Sequence, residues 1–327
     1  MTAPTIDVVA LGSAIVDVLA TAQDTDLEAR GLVKGTMALV DAVRADELYA
    51  GMGPAVEASG GSAANTVAGV ASFGGTAAFI GKVRDDQLGA VFAHDIRAVG
   101  VSFATEAATT GPATARCLVF VTEDAQRTMT TYLGAATGLG PGDVDTGVVA
   151  AARYTYLEGY LWDPPEAIEA LRTAMSAASD AGRQVALSLS DPFCVDRHRK
   201  DFLGLVDDHV DVLFANEVEI MSLFEVSSLP EAIDEVQRRG RCGLAAITLG
   251  ALGSTIVTPD ATIDCPASPV EHVVDTTGAG DLYAAGFLHG LASGAGLMRC
   301  AELGSLAAAE VISHLGARPQ VALATLL

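Results

Sequence analysis

The chain has 327 residues, half of them hydrophobic, with a mean hydropathy of +0.38, so it can form a large core as one big domain or two ordinary ones. Nineteen basic and 41 acidic residues give a net charge of −22, and such an acidic surface repels phosphate backbones, which argues against nucleic-acid or membrane partners. The five cysteines are scattered without a C-x-x-C pair, so neither a disulfide framework nor a zinc cluster is predicted.

The first 22 residues are apolar, yet they contain no Lys or Arg, and Asp7 and Asp17 interrupt the apolar run. A signal peptide needs a basic start and an uninterrupted apolar stretch, so a core strand is predicted here instead. No segment has 18 uncharged apolar residues in succession, so no membrane span is predicted. We therefore expect a cytoplasmic protein.

Short β-branched runs then alternate along the chain with alanine-rich helical stretches. Strands are predicted for IDVVALGS, AAFIGKV, YTYLEGY, QVALSLS, VDVLFAN and LAAITLG, which begin at residues 6, 77, 154, 184, 210 and 244. Helices are predicted for residues 63–74, 86–100, 165–182 and 229–240. This alternation is typical of an α/β fold in which helices cover both faces of a parallel sheet.

Two regions interrupt the alternation with strands that have no helix between them. They are residues 32–41 and residues 113–135, and a turn at Thr122–Gln126 in the second region indicates a hairpin. Extra antiparallel strands in an α/β domain suggest a small β-lid. Because no repeat or long linker divides the chain, we predict one domain, residues 1–327, with lid strands approximately within 14–45 and 103–135.

Two glycine-rich segments precede predicted helices. Gly60 and Gly61 come before a helix that carries Ser62 and Asn65. This is either a tight turn with Asn65 near a helix start, or a backbone that lets a ligand approach while Asn65 bonds its hydroxyls. The second segment, residues 275–281, leads into a helix whose N-terminal N–H groups and dipole favour an anion. Asp281 at that helix start is either an ordinary N-cap or a reactive group.

Polar residues also follow predicted strands. Asp17 is predicted at the end of the first strand, where its carboxylate suits two vicinal hydroxyls; the alternative is a solvated turn acid. Asn216 and Glu219 lie three residues apart after another strand, which puts both on one helix face. A carboxylate and an amide suit Mg²⁺ there, or else they form a capped helix start.

Thr248, Gly250 and Gly253 close a further strand and either form the floor of a nucleotide site or belong to an ordinary turn. Two well-known phosphate loops have no match in the sequence. These are the P-loop, G-x-x-x-x-G-K-[ST], and the dinucleotide fingerprint, G-x-G-x-x-G. Any phosphate chemistry therefore uses another loop, and a dehydrogenase is disfavoured.

Taken in order, these features resemble the PfkB family of carbohydrate and nucleoside kinases, the group of the ribokinases and adenosine kinases. The similar segments span nearly the whole chain and read ALGSAIVD, GGSAAN, FANEVE, TLG, DTTGAGD and GARP. Two positions depart from the family pattern: Arg84 replaces a usual glycine, and Val67 replaces a usual small residue. The resemblance implies a ribokinase-like α/β sandwich with a parallel sheet, helices on both faces and a small β-lid.

The resemblance further implies a kinase that uses ATP and Mg²⁺. Asp281 is then the catalytic base, and the N–H groups of Gly278, Ala279 and Gly280 form the anion hole for the γ-phosphoryl group. Glu219 holds Mg²⁺ through water, and Asp275 is a candidate for a monovalent cation such as K⁺. Substrate binding is implied for Asp17, Gly60, Gly61, Ser62 and Asn65, and ATP binding for Asn216, Thr248, Gly250 and Gly253.

The acceptor is predicted to be a nucleoside, with adenosine converted to AMP. GGSAANT and RTMTTYLGAA are more similar to adenosine kinases than to the GGKGAN of ribokinases or the GGxPAN of fructokinases. Phe103, Tyr132, Tyr160 and Trp162 are candidates for stacking on a purine, or else they pack in the lid or core. A sugar kinase for ribose, fructose or 2-keto-3-deoxygluconate and a non-catalytic nucleotide-binding regulator remain alternatives, as do a monomer and a homodimer.

Overall fold

The apolar runs of the sequence pair into two β-sheets in the computed structural model, which describes residues 3–124, 126–239 and 242–327. The described strands are β1 Ile6–Leu11, β2 Ile15–Thr21, β3 Met37–Leu39, β4 Val56–Gly60, β5 Ala77–Ile80, β6 Val101–Phe103, β7 Ala115–Val121, β8 Arg127–Tyr132, β9 Ala152–Glu158, β10 Gln184–Ser188, β11 Val212–Asn216, β12 Leu244–Thr248, β13 Ser254–Thr258 and β14 Ala261–Cys265. The described helices are α1 Asp24–Ala29, α2 Ala42–Ala50, α3 Ser62–Ser72, α4 Gln87–Ala98, α5 Thr146–Ala151, α6 Pro165–Asp180, α7 Pro192–Asp208, α8 Glu217–Phe224, α9 Leu229–Arg238, α10 Ala279–Ala292 and α11 Leu297–Val311.

The larger sheet has the strand order β14-β13-β12-β11-β10-β9-β1-β5-β6 and is parallel except for β13 and β14. Both of its faces are covered, which explains why β1 is apolar without interruption from Val8 to Leu11. Val8 and Ala10 of β1 pack in one core, with α3, α4, α10 and α11, whereas Val9 and Leu11 pack in the other, with α5 to α9. The predicted fold class is therefore confirmed. None of the helices in the described ranges is long and apolar enough to cross a membrane.

The smaller sheet has the order β3-β8-β7-β2-β4. β7 and β8 pair antiparallel, as the predicted hairpin requires, although Ala125 of its turn lies outside the described residues. Four strands of this sheet fall within 14–45 and 103–135, and β4 lies outside those ranges. The helix predicted at 229–240 is α9, and Gly240 lies outside the described residues.

The predicted position of Asp17 is wrong. β1 ends at Leu11, and the chain passes through Gly12–Ala14 into the second sheet, so Asp17 lies inside β2, opposite Ala58 of β4 and Cys117 of β7. The apolar character of the sequence continues across the link because the buried residues of β2 are themselves apolar. Hydrophobicity alone therefore did not reveal where one sheet gives way to the other.

Candidate active site

Asp281 lies at the N-terminal end of α10, where it faces α3. Gly278 occupies the N-cap position of α10 with φ 79°, and Asp281 is the third residue of the helix, so the N-cap alternative for Asp281 is wrong. Its Oδ1 accepts a hydrogen bond from Ser62 Oγ at 2.7 Å, and its Oδ2 accepts one from Asn65 Nδ2 at 2.9 Å. The GGSAAN and GAGD segments therefore meet at a single carboxylate.

Arg318, in the C-terminal GARP segment, completes this network. Its Nε donates to Asn65 Oδ1 at 2.7 Å. Burial raises the pKa of Asp281, while the hydrogen bonds from Ser62 and Asn65 and the charge of Arg318 oppose that rise. A carboxylate with a raised pKa is a better proton acceptor, provided that it remains ionised.

The loop before α10 presents free backbone donors. Ala279 N–H donates to the carbonyl of Thr276 at 3.2 Å, whereas the N–H groups of Gly278 and Gly280 have no partner among the described residues. Only glycine suits position 278, because its φ is positive and a Cβ would lie 2.8 Å from Cβ of Ala317. Two free N–H groups at the positive end of a helix favour a bound anion.

Asp275 ties this loop to the rest of the site. It is buried, and its oxygens accept hydrogen bonds from the N–H groups of Thr277 and Gly316, each at 3.0 Å. Nη2 of Arg127, from β8 of the smaller sheet, lies 2.6 Å from Asp275 Oδ2, and Nη1 donates to Thr277 Oγ1 at 3.2 Å. The guanidinium therefore supplies positive charge beside the residue for which a monovalent cation was predicted.

Asp17 carries a carboxylate that receives no hydrogen bond from the described residues. Burial raises its pKa to about 6, and the charges of Arg318 and Arg127 oppose that rise. The glycine pair lies directly beside it: a Cβ on Gly60 would be 2.4 Å from Asp17 Oδ2, and Gly61 has φ 98°. The carboxylate is thus free to accept hydrogen bonds from a ligand that the glycines allow to approach.

Asp281 borders the middle one of three adjoining cavities. The central cavity, of about 270 Å³, shares Ser62 and Tyr160 with a cavity of about 380 Å³ between the two sheets, here called the acceptor cavity. It shares Thr248, Gly280 and Tyr283 with a cavity of about 590 Å³, here called the nucleotide cavity. This arrangement can place two substrates on either side of one carboxylate.

The nucleotide cavity is bordered by three of the four residues expected to bind ATP, Thr248, Gly250 and Gly253. Asn216, the fourth, borders the central cavity instead. Most other residues around the nucleotide cavity have small or apolar side chains, which suit the faces of a planar base. They include Ala251, Pro269, Val270, Val273, Ala308 and Ile312.

Asn216 and Glu219 cap the start of α8 reciprocally. Asn216 Oδ1 accepts from the N–H of Glu219 at 2.9 Å, and the Glu219 carboxylate accepts from the N–H and Nδ2 of Asn216 at 2.9 and 2.6 Å. Burial raises the pKa of Glu219 to about 7. Both residues also border the central cavity, as do Gly278 and Gly280. The described residues contain no cluster of three His, Cys, Asp or Glu side chains that could hold a metal. One carboxylate and one amide suit Mg²⁺ only where water and phosphate oxygens supply most of its ligands.

Sequence reasoning missed Glu158, Arg127 and Arg318. Glu158 ends β9, is buried, and accepts hydrogen bonds from the N–H groups of Ser13 and Ala63, each at 3.0 Å. Burial raises its pKa to about 7, against these backbone hydrogen bonds. A charged residue that ends an apolar strand, as in YTYLE, is the signal that could have identified Glu158.

Among the four aromatic candidates, Tyr160 borders the acceptor cavity. Phe103 and Trp162 are buried in the two cores. The guanidinium of Arg116, on β7, lies over the ring of Tyr132 at 5.8 Å from its centroid. Phe193, which sequence reasoning did not single out, also borders the cavity and is 75% exposed.

Comparisons with known proteins agree with this geometry. The family model described as pfkB family carbohydrate kinase matches residues 32–322. The structure of adenosine kinase from Sinorhizobium meliloti is 53% identical with a TM-score of 0.91, and 98% of each chain is covered. A probable sugar kinase from Rhizobium etli CFN 42 is 47% identical with a TM-score of 0.92, covering 99% of this chain and 98% of the other.

Similarity also extends to a more distant relative. Adenosine kinase from Saccharomyces cerevisiae is 27% identical over 337 residues, which cover 97% of this chain and 96% of the relative. Together with the family match, these similarities span the three cavities and the carboxylate between them. The chain therefore belongs to the pfkB family of carbohydrate kinases and is a phosphotransferase that acts on an alcohol group.

Proposed function

We propose that the chain is an adenosine kinase, which transfers the γ-phosphoryl group of ATP to the 5′-hydroxyl of adenosine and releases AMP and ADP. The observation that carries this proposal is the chemistry of the acceptor cavity. Away from Ser62 and Glu158, its wall is formed largely by apolar side chains. They are Ile15, Met37, Leu39, Leu133, Leu161 and Phe193. A purine base would bury two broad faces without hydroxyls there, whereas a free sugar carries a hydroxyl group on most of its carbons.

The proposed pose puts the ribose between that wall and the reaction centre. Asp17 does not border the acceptor cavity, but Ile15 does, and it lies two residues before Asp17 on the same face of β2. The Asp17 carboxylate lacks a donor within the described structure, and the 2′- and 3′-hydroxyls would supply two. Asn65 and Ser62 lie next to Asp281 and so mark the end of the site at which the 5′-hydroxyl must lie.

The proposed reaction follows from the groups around Asp281. The carboxylate takes the proton of the acceptor hydroxyl while that oxygen forms a bond to the γ-phosphorus and the bond to the ADP oxygen breaks. The free N–H groups of Gly278 and Gly280 and the dipole of α10 stabilise the charge on the transferring group. Mg²⁺, when bound near Glu219 and Asn216, supplies neutralising charge for the phosphates.

A second candidate is a kinase for a free sugar of the same family. Its support is the polar rim of the acceptor cavity, where Asp163, Asp191 and Arg197 could bind additional hydroxyls. The 47% identity to a probable sugar kinase also favours it.

The test is ADP release from Mg-ATP by the purified protein, with adenosine, inosine, guanosine, ribose, fructose and 2-keto-3-deoxygluconate as acceptors. The Asp281→Asn variant serves as a control for background ATP hydrolysis. Turnover with adenosine at low concentration and none with the sugars is the expected result. Turnover with a sugar alone would overturn the nucleoside proposal and support the second candidate.

A further inference from the structure

Arg318 is a buried cation with an unusually poor set of hydrogen bonds. Nε donates to Asn65 Oδ1 at 2.7 Å, but Nη1 and Nη2 are buried and have no hydrogen-bond partner in the described part of the chain. A buried guanidinium normally has most of its donors satisfied, so this placement is unfavourable for hydrogen bonding. The compensating interaction is electrostatic, because the carboxylates of Asp17, Asp95 and Asp281 all lie close enough to stabilise the charge.

Arg318 also decides how the side-chain amide of Asn65 is oriented. The amide oxygen faces the donor on Arg318, and the amide nitrogen therefore faces Asp281 Oδ2. In the reversed orientation, Asn65 Nδ2 would face the donor Nε of Arg318, and Asn65 Oδ1 would face the acceptor Oδ2 of Asp281. The guanidinium thus selects the orientation in which Asn65 donates to the carboxylate.

The other groups that face Asp281 do not replace this charge. Asp17 faces it from β2, Glu158 and Tyr156 face it from β9, and Tyr160 faces it from the turn that follows. All are acids, so any that ionise add negative charge. The charge of Arg127, on β8, lowers the pKa of Asp17. Among the described cations, it is Arg318 whose charge lowers the pKa of Asp281. Burial lowers the pKa of Arg318 to about 10, which leaves it charged at neutral pH.

We infer that Arg318 is a positioning residue for the phosphoryl transfer: it orients the Asp281 carboxylate through Asn65, and its charge favours the ionised form of that carboxylate. This inference rests on the proposed role of Asp281 as the base. Arg318 borders neither the acceptor, the central nor the nucleotide cavity, and Asn65 links it to Asp281, so we assign it a role through its neighbours.

The test compares Arg318→Met with Arg318→Lys across a pH series of kcat at saturating ATP and acceptor, using the acceptor on which the wild type is active. Protonation of Asp17 is expected to act through KM, so kcat separates Asp281 from Asp17. The methionine removes both the charge and the Nε donor at similar length. We expect kcat to fall about tenfold or more, and the acidic limb of the profile to move to higher pH by about one unit, because a neighbouring opposite charge lowers a carboxyl pKa by about that much or more. The lysine retains the charge but not the planar donor, so kcat should fall while the acidic limb stays in place.

Arg97→Met is the matched control. This guanidinium on α4 donates through Nε and Nη2 to the carbonyl of Phe103 at 3.0 and 2.7 Å and does not border the three cavities. Its loss should lower thermal stability without moving the acidic limb.

A folded Arg318→Met protein with wild-type kcat and an unmoved acidic limb would overturn the inference. If that variant does not fold, Arg318→Lys decides: a wild-type kcat refutes the orienting role, and a shifted limb refutes the role of the charge. Failure of the proposed function is a separate result, since it appears as an inactive wild type before any variant is made.

Discussion

Replacing Asp281 with asparagine should separate catalysis from folding. The variant loses the proton acceptor, and positioned general bases contribute about 10²–10⁴ in rate. At about 1.4 kcal/mol for each factor of ten, the barrier should rise by about 3–6 kcal/mol. We therefore expect kcat to fall by that factor at saturating ATP and acceptor.

The structure predicts that this variant keeps its fold. The new amide oxygen can accept the hydrogen bond from Asn65 Nδ2, whose orientation Arg318 holds, and the new amide nitrogen can donate to Ser62 Oγ. Burial raises the pKa of Asp281 in the folded protein, so ionisation of the carboxylate destabilises the fold as pH rises through that pKa. The neutral amide removes this effect, and the free energy of unfolding at neutral pH should be unchanged or higher.

The assay measures kcat by ADP release and stability by thermal unfolding, both at neutral pH. Asp180→Asn, an exposed acid-to-amide change at the end of α6, is the control and should alter neither quantity. The reasoning is refuted if Asp281→Asn retains more than a tenth of the wild-type kcat while it unfolds at the wild-type temperature or above.

Three other predictions follow from the same geometry. Asp17→Asn should lower kcat/KM for the acceptor by about 10–100-fold through KM, because a hydrogen bond to a charged group contributes about 1.5–3 kcal/mol. In the wild type, kcat/KM should likewise fall as the pH drops through about 6, where Asp17 gains a proton. Gly278→Ala should lower the melting temperature, since a positive φ costs a non-glycine residue about 1–2 kcal/mol and the new Cβ would clash with Ala317. In Gly280→Ala the new Cβ has no atom within 4 Å, so this variant should raise the KM for ATP with stability unchanged. Phe193→Ala should raise the KM for adenosine, with little change in kcat, because it removes an exposed apolar side chain from the wall of the acceptor cavity. An unchanged KM would contradict the proposed position of the purine ring.

The larger sheet was predictable because its strands are buried on both faces. β1, β5 and β9 to β12 are short, nearly continuous apolar runs, and the stretches between several of them have helical periodicity. Other elements carried weaker signals. β4, with the sequence VEASG, is short and mixed in character, and α7 is largely polar and departs from helical geometry at His198. Such elements form because of the surfaces on which they pack and show little local pattern.

The sequence by itself determined the chemistry: a helix start with GAGD, a glycine pair before Asn65, and the family to which they point. Only the tertiary structure decided which side chains meet. Asp281 is hydrogen-bonded to Ser62 and Asn65, which precede it by 219 and 216 positions in the sequence. Arg318 is hydrogen-bonded to Asn65 across a sequence separation of 253 positions. Local periodicity specifies which face of a helix is apolar, but it carries no information on which distant helix packs beside it. α3, α10 and the C-terminal segment meet on one face of the sheet, and that packing turns separate motifs into one reaction centre.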